Sequence, residues 1–249
     1  VGLGISGVLV FGVVAAIGRS AGNASRAASP VVVHLTPVRV LNGQDVVVSL
    51  TNLTDTARQP NVRILGPDGE VMKRARPTVA PGKSALVSKI MDTDLVEYLT
   101  TPVRADVSFS AGGPSGWEIA MLVLHGEDGA HALLVPSPLR GKASKRSSSP
   151  LVRLVPEHAL RVIVTNLGTA TASYTVYEYG LGGGVVRQGT IEDVAPGDTR
   201  SKSFPGGDGA YVRGVMDAPG SRALVAWELY DVNTQGVIDV TFNREIAPS

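Results

Sequence analysis

The sequence predicts an all-β chain: two tandem antiparallel β-sandwiches preceded by a single N-terminal transmembrane helix. Three observations predict it. The first eighteen residues are an uncharged apolar run. The rest of the chain repeats itself once. Each repeat is a series of short β-branched runs separated by Gly, Pro, Asn and Asp. The chain has 249 residues, enough for two domains that each bury a core. At 43% hydrophobic and 18% charged it is too apolar for long-range disorder.

The run Val1 to Gly18 reads VGLGISGVLVFGVVAAIG. As a helix it spans about 27 Å, close to the hydrocarbon thickness of a bilayer. A cleaved signal peptide has a shorter apolar core, about 7–15 residues, behind a basic segment. The run therefore reads as a membrane anchor over 1–18, followed by a polar small-residue spacer over 19–30. Its glycines are numerous for a lone anchor. Gly12 and Ala16 form a small-xxx-small spacing that lets helices approach closely in lipid, so they are helix-packing candidates.

The repeat is found by self-comparison. Val38-Arg39-Val40 recurs as Val152-Arg153-Leu154, and Thr51-Asn52-Leu53 as Thr165-Asn166-Leu167, at the same interval. Val79-Ala80-Pro81-Gly82 recurs as Val194-Ala195-Pro196-Gly197, and Val103-Arg104 as Val212-Arg213. Trp117-Glu118 and Trp227-Glu228 extend the match less closely. The order is kept, so this is a duplicated unit of roughly 100 residues rather than a short solenoid period. The first copy covers 31–137, the second 151–249, with PLRGKASKRSSSP over 138–150 as a basic linker.

Strands follow from β-branched runs that end in turn formers. Asp45–Asn52 and Leu160–Asn166 are one such pair, and Asn61–Leu65 and Tyr174–Tyr179 the next. Gly66-Pro67-Asp68-Gly69 and Gly180–Gly184 turn each copy into a further strand, and Ala-Pro-Gly makes a second turn. Val103–Ser108, Ile119–Leu124 and Ala132–Val135 complete the first copy. Val212–Asp217, Ala223–Tyr230 and Val237–Phe242 complete the second. About seven short strands per copy indicate an antiparallel sandwich.

A Thr-Asn-ended strand, a Gly-flanked hairpin, an Ala-Pro-Gly turn and a late Val-Arg strand resemble the immunoglobulin-like sandwich domains of exported, membrane-anchored bacterial proteins. The resemblance covers 31–249 and implies a strand order, not a function. The disulfide of antibody domains is absent from both copies.

Composition excludes several kinds of chemistry. Zero Cys removes disulfides, thiol catalysis and Cys-ligated metals. A net charge of +1 gives no footprint for nucleic acid, and 5% aromatics argue against base-stacking platforms. His125, Glu127, Asp128 and His131 cluster between apolar runs, which is the pattern of a hairpin turn rather than a metal site. Gly180–Gly184 lacks the helix that follows a phosphate loop, and Gly113–Gly116 is not a nucleophile elbow. Trp117 and Trp227 read as core, and Asn23 and Asn52 as chance glycosylation sequons.

Partner-surface candidates are Asp92, Asp94 and Glu97, in a stretch longer in the first copy, and Arg140, Lys142, Lys145 and Arg146 in the linker. Asp94 with Glu97 also reads as a capping pair for a helical turn. The expected function is a non-catalytic, membrane-anchored accessory or scaffold subunit. It would sit on the periplasmic side of a bacterial cytoplasmic membrane and stabilise an integral-membrane assembly, such as an energy-transducing complex. Expected partners are integral-membrane subunits and lipid, with no cofactor, metal, small-molecule substrate or nucleic acid. The alternative is a pilin-like surface-filament subunit. Against it, Ile5 stands where bacterial type IV pilins carry an acid. A secreted or anchored enzyme is a third class, with no catalytic constellation to support it.

Overall fold

The computed structural model describes residues 30–40, 43–90, 101–110, 113–124, 132–136, 146–217, 222–234 and 237–242. Among these residues the chain is all-β, and no helix is long and apolar enough to cross a membrane. Gly12 and Ala16 lie outside the described residues, with the whole 1–18 run.

The first unit comprises β1 (Val31–Val40), β2 (Asp45–Asn52), β3 (Asn61–Leu65), β4 (Val71–Ala75), β5 (Ser84–Ile90), β6 (Thr101–Phe109), β7 (Trp117–Leu124) and β8 (Ala132–Pro136). The second comprises β9 (Arg146–Ser148), β10 (Val152–Leu154), β11 (His158–Asn166), β12 (Ala172–Gly180) and β13 (Val185–Val194). It continues with β14 (Thr199–Pro205), β15 (Ala210–Asp217), β16 (Ala223–Asp231) and β17 (Val237–Phe242).

The duplication is reproduced strand by strand. Sheets β1-β6-β3-β4 and β5-β2-β7-β8 of the first unit match β10-β15-β12-β13 and β14-β11-β16-β17 of the second. The hairpin bulges match as well, falling between Ile64 and Leu65 in one copy and between Glu178 and Tyr179 in the other. In each unit alternate residues of both sheets point into one core. Val46, Val48, Leu50, Val103, Ala105 and Val107 do so in the first unit, and Leu160, Val162, Val164, Tyr174 and Val176 in the second. The first strand pairs with the sixth and the seventh with the second. Antibody constant domains place their first strand with the second and their seventh with the sixth.

One latch explains two of the repeated motifs. Asn52 is fully buried, and its Nδ2 donates to the Thr56 and Val79 carbonyls at 2.8 and 2.9 Å, while its Oδ1 accepts from the Thr54 N–H. Asn166 does the same with Ala170, Val194 and Gly168. The Gly82 and Gly197 N–H groups donate back to the Asn52 and Asn166 carbonyls. Thr-Asn and Ala-Pro-Gly recur together because they are two halves of one contact. A buried amide whose Nδ2 is tied to two main-chain carbonyls, and whose Oδ1 accepts from the Thr54 N–H and hydroxyl, has no room for a glycan, so Asn52 is structural.

Two sequence assignments change. Asn52 faces Trp117 across the sheet, but Asn166 faces Ala223. Trp227 instead faces Val162, the place that Met121 holds opposite Val48. The two tryptophans are both buried but sit four residues apart along equivalent strands. Trp117 packs on Phe109 at 5.5 Å. Trp227 donates Nε1–H to Ser147 Oγ at 2.8 Å and lies over Gly214, where any Cβ would collide with its ring. The stretch read as linker also contributes to the second unit. Arg146–Ser148 pairs with β15, and Ser147 and Ser149 are buried. β9 and β10 together replace β1, whose bulge after Leu35 corresponds to the break between them.

Candidate functional site

The densest polar chemistry among the described residues lies where the two units meet. β1 lies against β11 and β16. Ala159, Ile163, Leu224, Ala226 and Tyr230 point away from their own core, yet all are buried. Burial of both faces of this sheet follows from its position between its own core and the first unit.

At the centre stand Arg39, Arg161, Glu228 and Tyr230. Glu228 has no exposed surface and pairs with Arg39 at 3.5 Å and Arg161 at 3.6 Å. Both guanidiniums lie over the Tyr230 ring, 4.8 and 3.9 Å from its centroid. Arg161 also donates to Ser203 Oγ at 2.9 Å. The Arg39 N–H donates to Glu228 Oε1 at 3.2 Å. Pro102 stands opposite Arg39 in β6, and the Arg39 N–H points off the open edge of β1 to Glu228 instead of towards β6. Glu228 covers this edge, which is a template for unwanted strand pairing when bare. Burial, then the Arg161 charge, lower the Arg39 pKa to about 10. Burial raises the Glu228 carboxyl above its ordinary range against the pull of both arginines.

A second cluster lies on the outer face of β6. Asp106 accepts from Arg104 at 2.7 Å, from Arg63 at 3.0 Å and from His34 Nδ1–H at 2.7 Å. Burial pushes this carboxyl up, but the His34 hydrogen bond and the Arg104 and Arg63 charges outweigh it and hold the pKa below the ordinary 3.8. Arg104 reaches across to the Gly197 carbonyl at 3.4 Å. Beside it the Gly66–Glu70 hairpin docks on the Ala195–Gly197 turn. The Thr199 N–H donates to the Pro67 carbonyl at 2.6 Å, and Arg200 pairs with Asp68 at 3.7 Å. Gly69 sits so close to Gly197 that a Cβ would press on its carbonyl.

This arrangement fixes two units relative to each other. Its charges face one another and the backbone. Among the described residues no group of three or more His, Asp or Glu is placed to hold a metal ion. Of the sequence candidates, Arg146 pairs with Asp217 at 2.7 Å in an exposed contact. Asp92, Asp94, Glu97, Arg140, Lys142 and Lys145, with His125 and His131, lie outside the described residues. The joint residues were not singled out from sequence. Their signal is an Arg placed between inward-facing valines, Val38-Arg39-Val40, which has to point outward from the core.

No family model matches the chain, and no curated protein matches it. Two solved structures of Bacteroides uniformis β-glucuronidase align with it, one of them β-glucuronidase 2 covalently bound to cyclophellitol-6-carboxylate aziridine. Each is 12% identical, at a TM-score of 0.18, and covers 82% of this chain and 25% of the enzyme chain. This chain thus spans about a quarter of their length, and a TM-score of 0.18 carries no argument about fold or function.

Proposed function

We propose that the chain is a non-catalytic, membrane-anchored accessory subunit that braces a larger integral-membrane assembly. Its two units are immunoglobulin-like sandwiches in a broad sense, with the edge-strand exchange described above. They sit on the periplasmic side of a bacterial cytoplasmic membrane, held by the 1–18 helix. The observation that carries this reading is the closed joint of Arg39, Arg161, Glu228 and Tyr230. Charged side chains buried between two units restrict their relative motion, as a brace requires. The apolar run with Gly12 and Ala16 supplies a means of packing among other membrane helices. Asp92, Asp94, Glu97, Arg140, Lys142 and Lys145 remain the proposed partner-facing charges, with Arg146 tied to its own unit.

Mild detergent extraction followed by native mass measurement tests the reading. Discrete complexes with integral-membrane proteins are expected, and the Gly12→Leu, Ala16→Leu double variant should lose them. Recovery of the chain without any membrane protein would overturn it. Topology is tested with cysteines at Ser148 and Ser201, both exposed. Each should react with an impermeant thiol reagent in intact spheroplasts. Labelling only after lysis would reverse the placement.

A further inference from the structure

The joint between the units is heterologous: one surface of the first unit meets a different surface of the second. The donating surface consists of Arg39 and Arg104, the outward Leu65 and the Gly66–Glu70 hairpin. The accepting surface is the outer face of β11 and β16 with the Ala195–Thr199 turn. Because the units are copies, each carries both surfaces. The joint uses one of each; of the other pair the turn and the hairpin are exposed, while Val47, in the place of Arg161, is buried.

The open copies are identified by register. Arg153 and Arg213 hold the places of Arg39 and Arg104, Tyr179 that of Leu65, and Gly180–Gly184 that of the hairpin. Arg39 and Arg104 are 6% and 5% exposed, whereas Arg153 and Arg213 are exposed and make no ion pair among the described residues. On the other side, Gly82, Lys83 and Ser84 hold the places of Gly197, Asp198 and Thr199. Thr199 is 2% exposed, while all three counterparts are exposed. The two most exposed large apolar residues of the described chain flank these open surfaces. Leu181, at 71%, is at the tip of the free hairpin, and Leu86, at 69%, lies beside the free turn.

We propose that a second copy of this chain docks head to tail, its first unit receiving the second unit of its neighbour through a variant of the internal joint. The two open surfaces complement each other. Tyr211 stands where the internal joint has Pro102, and Leu122 where it has Glu228, so both sides are more apolar at the centre. Charge moves to the turn. Glu118 holds the place of Leu224, in one row with Thr51 and Ser84. Arg213 repeats Arg104, which reaches the neighbouring turn carbonyl, so it arrives at Gly82 with exposed Glu118 in the same row. A heterologous contact that does not close on itself adds copies in line. With one exposed ion pair instead of a buried cluster, this contact is weaker and reversible. The proposal is independent of the membrane reading, because no residue of 1–18 takes part.

Sedimentation of the purified full chain in mild detergent tests it. Association should increase with concentration. Arg213→Glu and Glu118→Arg should each weaken it at least tenfold, and the chain carrying both should regain it. Leu181→Asp blocks one surface and Leu86→Asp the other. Each alone should stay monomeric, and an equal mixture should form one-to-one dimers, since each chain keeps one working surface. All four positions are exposed, and circular dichroism checks that each variant folds. Three results would overturn the proposal. They are a wild-type chain that sediments identically at every concentration, association indifferent to all four changes, and a mixture that stays monomeric.

Discussion

Replacing Asp106 by Asn removes the charge that three side chains share. Arg104 is nearly buried and loses its only carboxylate among the described residues, while Arg63 is about a third exposed and loses a screened partner. Breaking a buried ion pair by removing one partner costs about 3–5 kcal/mol, and an exposed pair contributes about 0–1 kcal/mol. The Asn carbonyl still accepts one of the donors, which places the total near the lower end, about 3 kcal/mol. For a chain of this length that lowers the melting temperature by about 6–12 °C. Differential scanning calorimetry of both proteins near pH 7 measures it. The same pair gives a second reading in acid. The folded pKa of Asp106 lies below its ordinary 3.8, so its contribution is present above that value and fades as pH falls through the folded one. The gap between wild type and variant should therefore narrow as pH falls below 3.8. A gap under about 1 kcal/mol at neutral pH, or one unchanged by acid, would refute the assignment of this cluster as a net-stabilising ionic contact.

Three further outcomes follow from the same geometry. Asn166→Ala strips two main-chain carbonyls of their donor and should cost about 1–3 kcal/mol in urea unfolding. Asn52→Ala should cost a similar amount, and unequal effects would break the equivalence of the two latches. Gly214→Ala forces the Trp227 ring aside and should cost about 1–3 kcal/mol, with altered near-ultraviolet circular dichroism. An unperturbed spectrum would show that the ring is not held there. The Glu228 pKa is raised, so its contribution is present at low pH and lost as pH rises through the folded value, opposite in sign to Asp106. Wild type should therefore gain stability relative to Glu228→Gln as the solution is acidified. A relative loss would contradict that direction.

The strands were legible where one face is buried and the run ends in a turn former. Asp45–Asn52, Asn61–Leu65 and Val237–Phe242 have the bounds that their residues suggest. The duplication was legible because the latch demands Thr-Asn and Ala-Pro-Gly together. β9 was not, since Arg-Ser-Ser has no β-branched residue and becomes a strand only by pairing with Val215–Asp217. The tryptophans misled because Trp-Glu in a strand puts Trp inward and Glu outward at any register of the right parity. The joint was least visible. Arg39, Arg161 and Glu228 lie far apart in the chain, and each alone is an ordinary outward charge on a strand. Only the contact of β1 with β11 and β16 turns them into a buried set.

The placement of β1 also determines how tension would travel. Its eight paired positions with β6, from Val31 to Val40, lie along one antiparallel ladder. A pull along β1 loads these hydrogen bonds in shear, many at once, rather than peeling them one by one. Arg39, near the far end of the strand, is clasped by Glu228. Force arriving at residue 30 is thus shared between β6 and, through Arg39, the second unit.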